Sequence, residues 1–161
     1  MPRFSPKTKA GIAFGAALAI ATIGGSAAAA INAAKVEAAR EANFKKIGGA
    51  FKAIIDGLKA ETPDTKAMAA QAKIIKDLSP KITTWFPKGS GPESGVKMQA
   101  KAEIWTDWAT FETAAKGLQT ESTKLEAIAK TGDLEAIKAQ VKVTGGACGT
   151  CHTKFREKEK H

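Results

Sequence analysis

The 161-residue chain contains no tyrosine, two cysteines and two histidines. So few sulfur and imidazole groups exclude a disulfide framework and any metal or nucleophile centre assembled from many such residues. No basic run is interleaved with aromatics as a nucleic-acid groove requires, which excludes that partner class. No segment reads convincingly as a strand. A redox dithiol, expected beside a strand–helix–strand pattern, therefore lacks its usual setting. The apolar run AGIAFGAALAIATI is 14 residues long, short of the ~20 that cross a bilayer.

That run follows Arg3, Lys7 and Lys9 and precedes GGSAAAA. A basic start, an apolar middle and small residues at the end have the order of a secretory signal. Residues 1–30 are expected to be that signal, with cleavage after Ala30 or, as second choice, Ala34; an uncleaved membrane anchor is the alternative. The mature protein, 31–161, is then exported, to the periplasm on the reading developed below. Removing three basic residues lowers the formal charge from +9 to +6, a moderate, dispersed surplus that suits a lysine-rich solvated surface.

The remainder reads as four amphipathic helices. The first covers about 31–58, with Val36, Phe44, Ile47, Phe51, Ile54 and Leu58 at helical spacing. In the second, Thr62 is the expected cap and Pro63 the first helical residue, with Met68, Ile75, Leu78, Ile82 and Trp85 as its stripe. Pro80 should kink or interrupt it. A loop rich in Gly, Pro and Ser occupies 87–102. The third helix is expected from Glu103 to Lys130, with Ile104, Trp108, Phe111, Leu118 and Leu125 inward. Asp133 caps the fourth, which reaches about Lys158 and turns Leu134, Ile137, Val141, Cys148, Cys151 and Phe155 inward. The class is all-α, an antiparallel four-helix bundle.

Both cysteines and one histidine fall in TGGACGTCHTKFR. On a helix, Cys148 and Cys151 are three residues apart and Cys148 and His152 four, so all three can serve one ligand. Cys-x-x-Cys-His is the attachment pattern of c-type haem: two thiols form thioethers with the porphyrin and the next histidine is the axial ligand. Zinc would want a fourth ligand, for which only His161 or a carboxylate is on offer. A disulfide would leave His152 unexplained. Gly145 and Gly146 either let backbone approach the ring edge or mark a break in the helix.

A haem motif at the C-terminal end of a four-helix chain resembles the class II cytochromes c, the cytochrome c′ family and its low-spin relatives. The resemblance rests on AREANFKKIGGAFKAI, AEIWTDWATF and GDLEAIKAQVKVTGGACGTCHTKFR, spanning about 31–158. It implies one haem c held through Cys148 and Cys151, with His152 on the iron. Low-spin relatives carry a methionine ligand four residues after an arginine; that arginine matches Arg40, and the fourth residue is Phe44. Phenylalanine has no lone pair, so the resemblance implies a five-coordinate, high-spin iron under an apolar ring. Met68 and Met98 are the alternative ligands, each more readily read as packing. Arg40 lies on the buried stripe, where a haem propionate is the expected counter-ion, the alternative being a place on the exposed rim. Glu41 matches a position near a propionate in relatives, and Arg156 a basic residue near the proximal face.

Two functions follow from these expectations: binding of a small diatomic gas, nitric oxide above all, and one-electron transfer with a periplasmic redox partner. Catalysis ranks last, because Phe44 offers no proton-moving group. Relatives often dimerise through their first two helices, which makes a homodimer a candidate assembly.

Overall fold

The computed structural model describes residues 1, 2 and 32–158. The expected signal segment and His161 lie outside the described residues. Helix α1 spans Ala33–Gly57 and is capped by Asn32, whose Oδ1 accepts from the Lys35 N–H at 3.0 Å. Helix α2, Thr65–Leu78, begins two residues later than the sequence suggests. Asp64, not Thr62, is its cap, accepting from the Ala67 N–H at 3.0 Å. At Pro80 the α-helix gives way to a 3-10 stretch, Ser79–Trp85, as the missing N–H and the ring of proline require. A short 3-10 turn, Pro92–Ser94, interrupts the following loop.

The expected third helix is two. Helix α3, Glu103–Thr106, is separated from α4, Trp108–Thr131, by Asp107, whose backbone (φ −125°, ψ 54°) is not helical. The Asp107 carboxylate engages Lys154 and Thr110, the kind of local side-chain bonding that competes with helix continuation. Gly132 closes α4 in the left-handed region, at φ +79°. Asp133 caps α5, Leu134–Phe155, as expected. The break also corrects one core assignment. Trp108 does not continue the stripe from Ile104, because the helical phase resets at Asp107, and it stays 38% exposed.

The long helices pack in chain order, α1 on α2, α2 on α4 and α4 on α5, whereas α1 and α5 share no comparable backbone interface. Ile54, Ala72, Ile75, Phe111, Leu125 and Ile137 form the driest part of the core. Phe111 contacts Phe86 and Phe155 edge-on, at 4.8 and 5.4 Å between centroids. Polar ties cross the layers. Ser79 and Ser122 hydroxyls meet at 3.0 Å, and Gln140 Nε2 donates to Glu121 Oε2 at 2.7 Å. Among the described residues no helix is long and apolar enough to cross a membrane.

Five carboxylates are held below their ordinary range by lysine hydrogen bonds, among them Asp56 by Lys52 and Asp77 by Lys73. Asp107 is held by Lys154 with help from Thr110, Glu121 by Lys124 with help from Gln140, and Glu126 by Lys130 with a further contribution from Lys76. A carboxylate whose folded-state pKa is depressed stabilises the fold fully above its unfolded pKa, and that contribution is lost as pH falls through the folded value. The carboxylate contribution to the urea midpoint should therefore be flat above about pH 5 and decline below about pH 4. A midpoint that rises on acidification would contradict these assignments.

Candidate haem site

Helix α5 runs unbroken through both glycines, so the alternative of a break at Gly145–Gly146 does not hold. The two positions differ. A Cβ on Gly145 would lie 3.4 Å from Cζ of Phe51 on α1, whereas one on Gly146 would meet nothing within 4 Å. At Gly145, α5 thus lies at van der Waals distance from an α1 ring, a partner the sequence did not show.

Counted from this contact along two antiparallel helices, seven residues back on α1 and seven forward on α5 lead to Phe44 and His152. Seven residues are two turns, about 10.5 Å of rise. Both cysteines lie between Gly145 and His152, partly buried against the core and not paired with each other. Burial pushes the Cys148 thiol up; burial, then the neighbouring Cys148, pushes Cys151 up to about 11. His152 is exposed overall; partial desolvation, then the charge of Arg156, lowers its pKa. A neutral imidazole is the form that binds iron. Two inward protonated thiols followed by a neutral imidazole fit c-type haem. Among the described residues no group of three or more His, Cys, Asp or Glu side chains could hold a metal ion on its own.

Phe44 is half-buried. Its ring stands edge-on to Trp85 at 5.1 Å and tilted to Phe86 at 6.2 Å. Arg40 is 3% exposed, as its place on the stripe suggested, but it has partners within the chain. Its Nη1 pairs with Glu37 and approaches Met98 Sδ at 3.9 Å; Nε donates to the Trp85 carbonyl at 3.0 Å; Nη2 donates to Ser90 Oγ at 2.8 Å and to its carbonyl at 3.2 Å. Burial lowers its pKa, and Glu37 opposes that shift. The sequence argument for a propionate rested on an unpaired buried charge, and Glu37 removes that premise. Glu41 faces solvent, paired with Lys45 at 2.7 Å and off the face that Arg40 and Phe44 share. Met68 is buried beside Gly57, and the Met98 sulfur is turned toward Arg40.

Beyond His152, Arg156 donates from its backbone to the His152 carbonyl at 3.0 Å and from Nε to Gln99 Oε1 at 2.8 Å. Ala100 and Arg156 form an antiparallel bridge, with the Lys101 N–H on the Phe155 carbonyl at 3.0 Å and the Glu157 N–H on the Gln99 carbonyl at 2.7 Å. Sequence reading missed Glu37, Ser90 and Gln99. Only Glu37, one turn before Arg40, left a local signal.

A helical bundle with an inward Cys-x-x-Cys-His segment defines a class, the c-type haem proteins of four-helix architecture. The cytochrome c′ family model matches residues 35–156, and the chain belongs to that family, which binds one covalent haem c. Cytochrome c′ of Rubrivivax gelatinosus is 38% identical over 120 residues, covering 74% of this chain and 92% of that one. The protein from Rhodospirillum rubrum is 36% identical over 142 residues, covering 88% and 94%. The crystal structure of the Rubrivivax protein superposes with a TM-score of 0.70 at 34% identity, covering 78% of this chain and 97% of that one. A nitric oxide complex of a variant cytochrome c prime from Alcaligenes xylosoxidans gives 0.70 at 26% identity, with the same coverage.

The two glycines make separable predictions. Gly146→Ala should stabilise the fold by about 1 kcal/mol through helix propensity alone. Gly145→Ala should gain no more than that, while Gly145→Leu should cost ~1–3 kcal/mol by forcing Phe51 aside. Chemical denaturation of the holoprotein measures all three. A Gly145→Leu protein as stable as the parent would mean that α5 does not rest on Phe51.

Proposed function

We propose that the protein is exported, carries its haem through Cys148 and Cys151 with His152 as the single protein ligand to iron, and binds a neutral diatomic gas, nitric oxide above all, beneath Phe44. When bound, the haem supplies an iron with one axial position for His152 and one for a small ligand. Every other part of the reading concerns the chain's own side chains. The observation that supports it is the contact of Phe51 with Gly145, from which a seven-residue count leads to Phe44 on α1 and His152 on α5. A phenyl ring offers no lone pair, and it repels anions and water while yielding to a small apolar molecule.

The surroundings of Phe44 support this. Trp85 and Phe86 are its ring neighbours, and neither supplies the proton transfer that peroxide cleavage needs. Arg40 offers a propionate one N–H, the one facing the Met98 sulfur, which is the weakest of its five contacts. The relative from Alcaligenes, whose variant is a nitric oxide complex, lends the gas its identity. One-electron transfer with a periplasmic partner is the rival role. The proposal extends to a homodimer through α1 and α2, on which Ile74 is an apolar side chain left exposed, at 39%.

Replacing Phe44 by methionine places a thioether at the proposed sixth position. Phe44→Met should convert the ferric absorption spectrum toward six-coordinate low spin; an unchanged high-spin spectrum would show that residue 44 does not face iron. Titration of the ferrous holoprotein with nitric oxide should saturate at micromolar concentration or below. Absence of binding there would leave electron transfer as the function.

A further inference from the structure

Arg40 has five N–H donors, and five acceptors surround it. The guanidinium also lies over the Phe86 ring, 4.2 Å from its centroid, and 5.4 Å from that of Trp105. Two of these contacts fall on the two residues whose rings flank Phe44: a hydrogen bond to the Trp85 carbonyl and the face of Phe86. Phe44 itself sits one turn beyond Arg40 on α1, and no contact between the two is needed for one to govern the other. Glu37, one turn before Arg40, supplies the carboxylate that aims the guanidinium away from α1 and at segment 85–98. Ser90 receives the far end of the fork through both its hydroxyl and its carbonyl, and its hydroxyl in turn donates to the Pro87 carbonyl at 2.7 Å. Trp105 completes the enclosure by donating from Nε1 to the same Pro87 carbonyl at 3.1 Å.

We propose that Glu37, Arg40 and Ser90 form a positioning device for the Phe44 lid. Glu37 orients Arg40, Arg40 and Ser90 hold segment 85–90, and that segment confines the Phe44 ring between Trp85 and Phe86. Ligand access to the distal side is then set by residues that touch neither iron nor gas. The inference rests on the reading that Phe44 covers the iron, and it assigns Glu37 and Ser90 a role in that site.

Arg40 is too deeply buried for its removal to be informative, because breaking a buried pair destabilises the fold by itself. Glu37→Gln keeps an acceptor for Nη1 but removes the charge, and Ser90→Ala removes one acceptor of Nη2. Both are compared with the parent as mature holoproteins. Carbon monoxide association with the ferrous form is followed after flash photolysis, and 4-fluorophenylalanine at position 44 reports the ring by its ¹⁹F shift and linewidth. Both variants should bind carbon monoxide about 3- to 10-fold faster, the factor expected when one rotamer constraint is relaxed, with a shifted or narrowed fluorine line. Unchanged rates and fluorine spectra beside a lowered melting temperature would reduce the cluster to a purely structural one and overturn the proposal. A parent protein that takes up no carbon monoxide would sink the gas-binding reading instead, and the fluorine comparison would still decide whether these residues position Phe44.

Discussion

The close approach of α5 to Phe51 at Gly145 is the constraint from which the rest of the site follows. Three helix pairs, α1 with α2, α2 with α4 and α4 with α5, are joined along their lengths, and the pair that would close the ring is not. α1 and α5 meet where one helix has no side chain and the other presents a ring edge. A glycine inside a helix is unfavourable by about 1 kcal/mol relative to alanine. Here it sits where α5 meets the Phe51 ring of α1. With Phe51 against Gly145, the cysteines and His152 lie progressively further along α5, and on the proposed reading Phe44 is the α1 residue that faces His152 across the haem. A one-residue slip would turn the α1 partner by about 100° and bring Asn43 or Lys45 toward that place instead of Phe44.

The attachment segment is held from both ends. On one side, Gln140 and Thr144 of α5 bind Glu121 of α4, through its carboxylate and its carbonyl. On the other, Lys154 binds Asp107, and the backbone of 155–157 pairs with 99–101. Cys148, Cys151 and His152 fall between these anchors, on a continuous helix, where their side chains have little freedom to reorient. Functional groups carried on a rigid element and locked by their neighbours are held more closely than groups on loops. The break at Asp107 contributes directly. It ends α3, frees the carboxylate that receives Lys154, and so secures the helix end just past His152.

Much of this was legible in the sequence because it is local. Caps, proline and glycine interruptions and helical spacing involve residues three or four apart, and the thiol and imidazole spacing does too. Asp133 as a cap and the conversion of α2 at Pro80 needed nothing more. The errors arise where two local signals compete or where partners are distant in sequence. Thr62 and Asp64 both precede a helix, and the carboxylate nearer the first apolar turn took the role. Trp108 fitted the stripe only if the helix was continuous, and a side-chain bond formed 47 residues away in sequence, from Lys154 to Asp107, helps to decide that it is not. Arg40 was placed correctly on the buried face, yet its partners at 85, 90 and 98 are 45 to 58 residues distant, beyond the reach of periodicity. Glu37 was within reach. It was passed over because a carboxylate one turn from an arginine usually marks a solvated ion pair of small consequence.

Burying that ion pair beside a gas site has a physical logic. A bare apolar pocket around Phe44 would be closed only by dispersion contacts, which are individually weak and allow neighbouring rings to shift. An arginine with every donor engaged is directional, and leaving one of its buried partners unsatisfied would cost on the order of 1–3 kcal/mol. Placing the cation behind Trp85 and Phe86, rather than in front of them, keeps charge out of the Phe44 surroundings while using it to fix their walls. The neighbours of Phe44 are aromatic rings, which carry no charge. Directionality and apolarity, which a single layer of side chains supplies poorly together, are thereby divided between two layers. On the proposed reading, the inner layer selects a neutral diatomic and the outer layer determines how readily the inner one yields.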